Sequence, residues 1–274
     1  MKNNRKKKLN PKKDSAEFQK FLDEQQYSRN GILRYEKIFG DDFVSTGGIS
    51  TTREFVKMLN LKEGQKVLDV GCGIGGSAFH MDMEYGAHVE GFDLSRNMID
   101  IANERATKYN LENVSFSVKD ATLVEFPDDT FDVIYSRDTI LHIADKLSLF
   151  KNFLKWLKPG GTLMISDYCC TPNKWSPNYR AYVEQRGYNL LTVKEYGKTI
   201  GRAGFVDVRD IDYTSGFIDI LKGELETFAK TKDDFIKEFS EKEYDAINGG
   251  WSDKVIRCTN GDQKWGFFIA RKRA

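Results

Sequence analysis

From residue 66 onward the apolar positions fall into short runs separated by amphipathic stretches. Residues 66–70, 88–93, 114–119, 131–136 and 162–167 each read as a strand, rich in Val, Ile, Phe and Leu. Helices are predicted from Gly75, over 98–109 and over 145–157, where the apolar residues recur at helical spacing. The turn Lys158-Pro-Gly-Gly161 delivers the fifth strand. A sheet-packing helix at 192–203 and strands at 205–213 and 265–271 follow. Alternating β and α units of this kind predict an α/β fold: a doubly wound, mostly parallel, seven-stranded sheet with helices on both faces.

Three stretches stand outside that alternation. Before it, residues 14–24 read as a short helix with Phe18, Phe21 and Leu22 on one face, followed by helical segments at 31–39 and 50–59. Gly47 and Gly48 break the chain between the last two. After 167 the alternation pauses in a segment rich in Tyr and Trp, and 216–243 is charged, helical and irregular. Ligands of open α/β sheets bind at the carboxyl ends of the strands, where such insertions gather. The expected organisation is one domain over 14–274: a helical lid (14–60), a core (66–167), and cap segments at 168–190 and 214–255.

Composition changes this picture in two places. The net charge of +1 hides a basic stretch: residues 1–13 hold seven Lys or Arg and no acid, leaving 35 basic against 41 acidic residues elsewhere. Such a tail either touches nucleic acid or acidic membrane, or is a disordered solubilising segment. We expect the second, because a net acidic body argues against tracking a nucleic-acid backbone. No apolar run approaches the roughly 18 residues of a membrane span, and no signal-peptide core is seen at the start. The cysteines, Cys72, Cys169, Cys170 and Cys258, form no CxxC pair or zinc spacing. A reduced, cytoplasmic, monomeric protein without metal is expected.

The chemistry begins at 66–76, KVLDVGCGIGG, a strand running into a glycine turn ahead of a helix. The glycines let the backbone approach a ligand, and the helix behind them is expected to offer unpaired N–H groups to an anion. Asp93 ends the second strand about twenty residues later, the distance at which a carboxylate grips a ribose, and Asp120 ends the third. Taken alone, the turn Gly71, Gly73, Gly76 is weak and could merely close a strand–helix packing. With the two acids it resembles the class I S-adenosylmethionine-dependent methyltransferases. There the turn holds the methionine portion, the first acid the ribose and the second the adenine amine.

On the other side of the site, 135–142 (YSRDTILH) follows the fourth strand, and Asp138 and His142 lie four apart. On a helical turn that spacing joins carboxylate to imidazole as a general-base pair; the alternative is a capping Asp and an incidental His. His80 and His88 read as packing or surface residues. Gln26-Tyr27, Tyr35 to Gly40, Ser45-Thr-Gly-Gly48, Tyr135-Ser-Arg-Asp138, Asp167-Tyr-Cys169, Tyr182 to Arg186, Tyr188 and Gly250-Trp-Ser252 with Lys254 occur in order. Together they resemble the phosphoethanolamine N-methyltransferases of malaria parasites, nematodes and plants, over about 18–271. Plant and nematode members carry two methyltransferase-like halves, so one half here resembles the compact single-domain form.

The resemblance implies a reaction and a set of roles. Methyl groups pass from S-adenosylmethionine to the amine of phosphoethanolamine, giving phosphocholine after three rounds. An alkylammonium has a pKa near ~10, so about one part in a thousand is neutral at pH 7 and a base is needed. His142, backed by Asp138, matches that base, and Tyr27 the tyrosine closing over the reacting centre. Arg186 and Lys254 supply charge to the phosphate, and Tyr168, Tyr182 and Tyr188 donate hydroxyl hydrogens. Without that Arg and Lys the tyrosines would read as cap packing. Tyr35, Ser45, Asp69, Gly71, Gly73, Asp93, Leu94, Asp120, Ala121 and Arg137 are implied around the cofactor. Arg137 also reads as an ordinary surface ion-pair residue. A rival acceptor such as glycine or sarcosine needs a carboxylate pocket, which one Arg can serve. A cofactor-binding module acting through its basic tail is a further alternative.

Overall fold

The computed structural model describes Lys20, Glu24 and residues 27–274. The expected tail at 1–13, most of the helix expected at 14–24, and Gln26 lie outside them. Seven strands form one sheet in the order β3-β2-β1-β4-β5-β7-β6. They are β1 (Lys66–Val70), β2 (His88–Asp93), β3 (Val114–Val118), β4 (Phe131–Arg137), β5 (Leu157–Cys170), β6 (Val206–Asp212) and β7 (Gln263–Arg271). The first five run parallel, while β7 is antiparallel to both β5 and β6. The mostly parallel sheet read from the alternation is the one observed.

Side-chain alternation along each strand feeds two cores. Val67, Val133, Tyr135 and Met164 face one side, and Leu68, Val70, Ile134, Leu163 and Ile165 the other. The second side is covered by α5 (Lys146–Trp156) and α7 (Val193–Arg202). The first is covered by α2 (Gly48–Lys57), α3 (Gly76–Tyr85), α8 (Thr214–Lys230), α9 (Lys232–Glu238) and α10 (Glu241–Thr259). Each fully buried Leu, Ile or Phe removes apolar surface worth about 1.5–3 kcal/mol.

Capping residues set the helix starts. Asp145 accepts from the Ser148 N–H at 3.0 Å, so the predicted first residue of α5 is its cap instead. Ser95 caps α4 (Arg96–Lys108), starting it two residues before the predicted 98. Thr192 and Glu195 form a reciprocal capping box on α7. Ser176 and Pro177 start α6 (Pro177–Arg186).

The expected cap segments differ from the structure at one point. The fifth strand continues through Tyr168 to Cys170, because β7 supplies a ladder as far as Cys170 opposite Gln263. Tyr168 therefore sits on the sheet, not on an inserted segment. The stretch at 216–243, expected to be helical, is the helices α8, α9 and the start of α10.

Of the stretch expected to form a lid, the structure shows α1 (Arg29–Phe39) and the strap leading to α2. Arg34 pairs with Glu243 at 2.6 Å and Lys37 with Glu238 at 2.8 Å, both on the cap. On the core side Arg29 pairs with Glu104, and Arg105 with Glu36 and with Asp42. Exposed pairs contribute little each, but the half-buried Arg105 cluster fixes where the strap begins.

Candidate active site

β1 ends at Val70 and the chain turns through Gly71, Gly73 and Gly75, at φ 72°, 54° and 95°. Only glycine adopts these values without strain. A Cβ on Gly71 would lie 2.3 Å from the Thr139 side chain, and one on Gly73 2.7 Å from Val44. Five N–H groups of this turn are engaged within the protein. Gly71 and Cys72 donate to the Phe92 carbonyl at 2.8 and 3.0 Å, and Gly73 to Asp93 Oδ2 at 3.1 Å. Gly75 donates to the Cys72 carbonyl and Gly76 to the Asp42 carbonyl, both at 3.1 Å. Of the N–H groups at the start of α3, that of Gly76 is thus taken by the strap.

Beside the turn, Asp93 Oδ1 accepts from the Ser95 N–H at 2.9 Å. Desolvation pushes the Asp93 carboxyl up, against those two N–H groups. It keeps lone pairs for a hydroxyl, since a carboxylate offers about four acceptor positions. Leu94, half-buried, separates Asp93 from Ser95. Asp69, buried on β1, has its carboxyl pushed up to about 7 by burial, with Arg137 opposing, and its Oδ2 has no hydrogen-bond partner. Asp120, half-buried beyond β3, accepts from the Thr122 N–H and hydroxyl at 2.7 and 2.6 Å, and Ala121 packs at the edge of the second core.

Arg137 is buried and, among the described residues, pairs with no carboxylate, which removes the surface ion-pair reading. Its guanidinium donates to the carbonyls of Thr46 and Gly48 and, at 2.8 Å, to Thr52 Oγ1. It thereby holds the strap that contains Ser45, whose carbonyl accepts from Gly48 at 3.1 Å. Tyr35, half-buried on α1, stacks on Trp251 with ring centroids 6.0 Å apart.

The expected Asp138–His142 pair is not formed. Asp138 has φ 49°, a left-handed conformation that ends β4 instead of opening a helical turn. Its Oδ1 accepts from Trp265 Nε1 at 2.8 Å, and its Oδ2, sealed from solvent, has no hydrogen-bond partner. Desolvation pushes the Asp138 carboxyl up, against the pull of Arg137, the indole N–H and Lys254. His142 closes a 3-10 turn, Ile140–His142, with its ring edge-on to Tyr188 at 5.2 Å. That turn is clamped by the buried Lys146, whose Nζ donates to the Ile140 and Ile143 carbonyls at 2.8 and 2.6 Å.

The residues expected around a phosphate do converge. Tyr188 meets Tyr168 and Tyr182 at 6.3 and 5.9 Å between ring centroids, and the Arg186 guanidinium lies 5.8 Å from the centre of the Tyr182 ring. Tyr27 is near enough to bear electrostatically on the Tyr188 hydroxyl, and its carbonyl accepts from Asn97. The Lys254 ammonium is buried against aromatic faces, 4.2 Å from the centre of Trp251 and 5.5 Å from that of Tyr168. Among the described residues no carboxylate lies within ion-pair distance of it. Burial pulls its pKa down to about 8, with Glu224 and Asp138 opposing.

Sequence reasoning missed Trp265, Glu224, Phe217 and Lys146, which no motif singled out. Trp251 stood inside a quoted motif without a role. Several partnerless buried polar atoms gather at the carboxyl ends of the central strands: Asp69 Oδ2, Arg137 Nε, Asp138 Oδ2, Ser166 Oγ and, from the strap, Thr46 Oγ1. Buried polar atoms normally find partners, so this cluster marks the place a polar ligand fits. Among the described residues, no group of three or more His, Cys, Asp or Glu could hold a metal ion. No described helix is long and apolar enough to cross a membrane.

Comparison with known proteins places these features in company. A methyltransferase-domain family matches residues 61–204. The maize phosphoethanolamine N-methyltransferase 1 is 55% identical over 97% of this chain, which spans 53% of that protein. The Plasmodium falciparum phosphoethanolamine N-methyltransferase is 39% identical over 92% of this chain and 95% of its own length. The chain thus spans about half the length of the plant relatives it matches, and nearly all of the parasite one. Among solved structures, Haemonchus contortus phosphoethanolamine N-methyltransferase 2, in complex with phosphomonomethylethanolamine and S-adenosylhomocysteine, superposes with a TM-score of 0.91 at 37% identity. That match covers 94% of this chain and 61% of that one.

Proposed function

The chain belongs to the phosphoethanolamine N-methyltransferase family, and from that premise we propose that it methylates the amine of phosphoethanolamine and of its mono- and dimethyl forms, using S-adenosylmethionine. The cofactor supplies a methyl group on a positively charged sulfur. The glycine turn lets the backbone approach an adenosyl amino acid closely. Gly71, Gly73 and Asp69 would line its amino-acid end, Asp93 and Leu94 its ribose, and Asp120 and Ala121 its base. Tyr35, Ser45 and Arg137 would close the strap over it.

The observation that carries the acceptor is a site that offers both signs of charge. Its positive pole is the buried Lys254 ammonium and Arg186, with Tyr168, Tyr182 and Tyr188 around them. Its negative pole is the Asp138 carboxylate, with an oxygen free of partners. A phosphate dianion matches the first pole and an ammonium the second. Asp138 then holds the amine, not the imidazole, while Trp265 fixes the carboxylate from behind. His142, on its clamped turn, takes the proton the amine must lose before its lone pair can attack. Tyr27 aligns the nitrogen and excludes water.

A glycine or sarcosine acceptor needs only one cation for its carboxylate. The two cations and three phenols instead suit a tetrahedral dianion. The same reading takes the protein to act as a cytoplasmic monomer without nucleic acid, with a lid within 14–60 and a cap from 168–190 and 214–255. Turnover on phosphoethanolamine, its mono- and dimethyl forms, ethanolamine and sarcosine, with product mass determined, tests it. Methylation of ethanolamine or sarcosine as readily as of phosphoethanolamine would refute it.

A further inference from the structure

Glu224 lies midway along α8, outside every motif, with its side chain buried and its two carboxylate oxygens divided between two parts of the molecule. Oε1 accepts from the backbone N–H of Gly47 at 2.6 Å. Oε2 accepts from Trp251 Nε1 at 2.7 Å. Among the described residues no Lys or Arg pairs with it, so these two N–H groups are what hold the charge. Charge-assisted bonds of this kind are stronger than neutral ones, and burial keeps water from replacing them.

Each end reaches a different pole of the site. Gly47 caps α2 at φ 77°, and a Cβ there would lie 1.8 Å from Thr51 Oγ1. It is the point at which the strap turns, one residue beyond the Thr46 carbonyl that Arg137 grips. Trp251 carries the Lys254 ammonium on its face, 4.2 Å from the ring centre, and stacks on Tyr35 of the lid. One carboxylate thus sets both the height of the cofactor strap and the position of the indole that supports the phosphate-side cation.

Resting on the functional reading above, we propose that Glu224 is a positioning residue that couples cofactor binding under the strap to binding of the phosphorylated substrate. A strap drawn down on one ligand carries Gly47, Glu224 and Trp251 with it and delivers Lys254 to the other. Such coupling is reciprocal by thermodynamic necessity.

The test is a calorimetric titration of S-adenosylhomocysteine into the full chain, with and without saturating phosphoethanolamine. Wild type, Glu224→Gln, Trp251→Phe and the double variant are compared, with melting temperatures recorded. Glu224→Gln keeps the shape but turns an NH₂ group toward one of the two donors. In wild type, phosphoethanolamine is expected to tighten S-adenosylhomocysteine binding about five-fold or more. That factor should fall toward one in each single variant and no further in the double, because both break the same link. An undiminished factor in Glu224→Gln overturns the proposal. Should that variant fail to fold, an undiminished factor in Trp251→Phe overturns it equally. Wild type that binds S-adenosylhomocysteine but no phosphoethanolamine overturns the functional reading and the coupling with it. Binding of both ligands with coupling indifferent to Glu224 overturns the coupling alone.

Discussion

Trp265 donates its indole N–H to Oδ1 of Asp138 at 2.8 Å, across 127 positions of sequence. The bond joins the left-handed residue that follows β4 to the antiparallel strand β7, and it leaves Oδ2 as the open oxygen of the carboxylate. Trp265→Phe removes a donor that stabilises the charged carboxylate, worth about 1.5–3 kcal/mol for a bond to an ionised group. The sign is fixed: losing that donor raises the Asp138 pKa further. The acid limb of kcat/KM for phosphoethanolamine should move to higher pH. An unmoved limb would remove Asp138 from the binding of the amine.

His142→Ala should lower kcat by ~10² to 10⁴, the range for loss of a positioned general base, while both ligands still bind. Asp138→Ala, by contrast, should chiefly weaken phosphoethanolamine binding, since its carboxylate faces the site apart from the imidazole. Steady-state kinetics on the two variants separate these outcomes. Equal effects on KM from both would restore the Asp–His pair.

Lys254 should give the substrate dependence a basic limb. Its folded pKa, about 8, lies below that of an ordinary lysine, so it loses its charge as pH rises through that value. In the free enzyme kcat/KM for phosphoethanolamine should therefore decline above pH ~8. Lys254→Met should raise KM and flatten that limb, with S-adenosylmethionine binding little changed. The same depressed pKa makes the charged lysine a local cost to folding below about pH 8. That cost is relieved as pH climbs toward the unfolded value near ~10.4.

Asp93→Ala should weaken S-adenosylmethionine binding by roughly ten-fold or more, as loss of a charge-assisted pair of bonds implies. It also frees the Gly73 and Ser95 N–H groups. Calorimetry alongside a melting curve shows whether the loss lies in binding or in the turn.

Gly76→Ala separates local preference from tertiary fit. Alanine favours a helix over glycine by about 0.8–1.0 kcal/mol, and Gly76 has no left-handed backbone to protect. Its Cβ, however, would lie 2.3 Å from the Asp42 carbonyl and 2.8 Å from the Phe43 ring. The variant should lose about 1–3 kcal/mol by denaturant unfolding and bind cofactor more weakly, because the strap no longer seats on α3.

The sequence by itself determined the repeating strands and helices, the glycine turn and the two acids behind it. All of these are local: side chains alternate with period two along a strand, and Gly71, Gly73 and Gly75 answer to a φ that their own positions demand. Tyr168, Tyr182, Arg186, Tyr188 and Lys254 were legible only through resemblance, since no spacing brings α6, α10 and β5 together. Only the tertiary structure decided who faces whom. It gave Asp138 to Trp265, ran β5 on to Cys170 against β7, and closed the N-terminus of α3 with the carbonyl of Asp42. Each of these joins groups far apart in the chain whose partners depend on how the sheet is ordered and the lid packed. Hydrophobic periodicity records which face of an element is buried, and carries nothing about which polar atom from another element will meet it there.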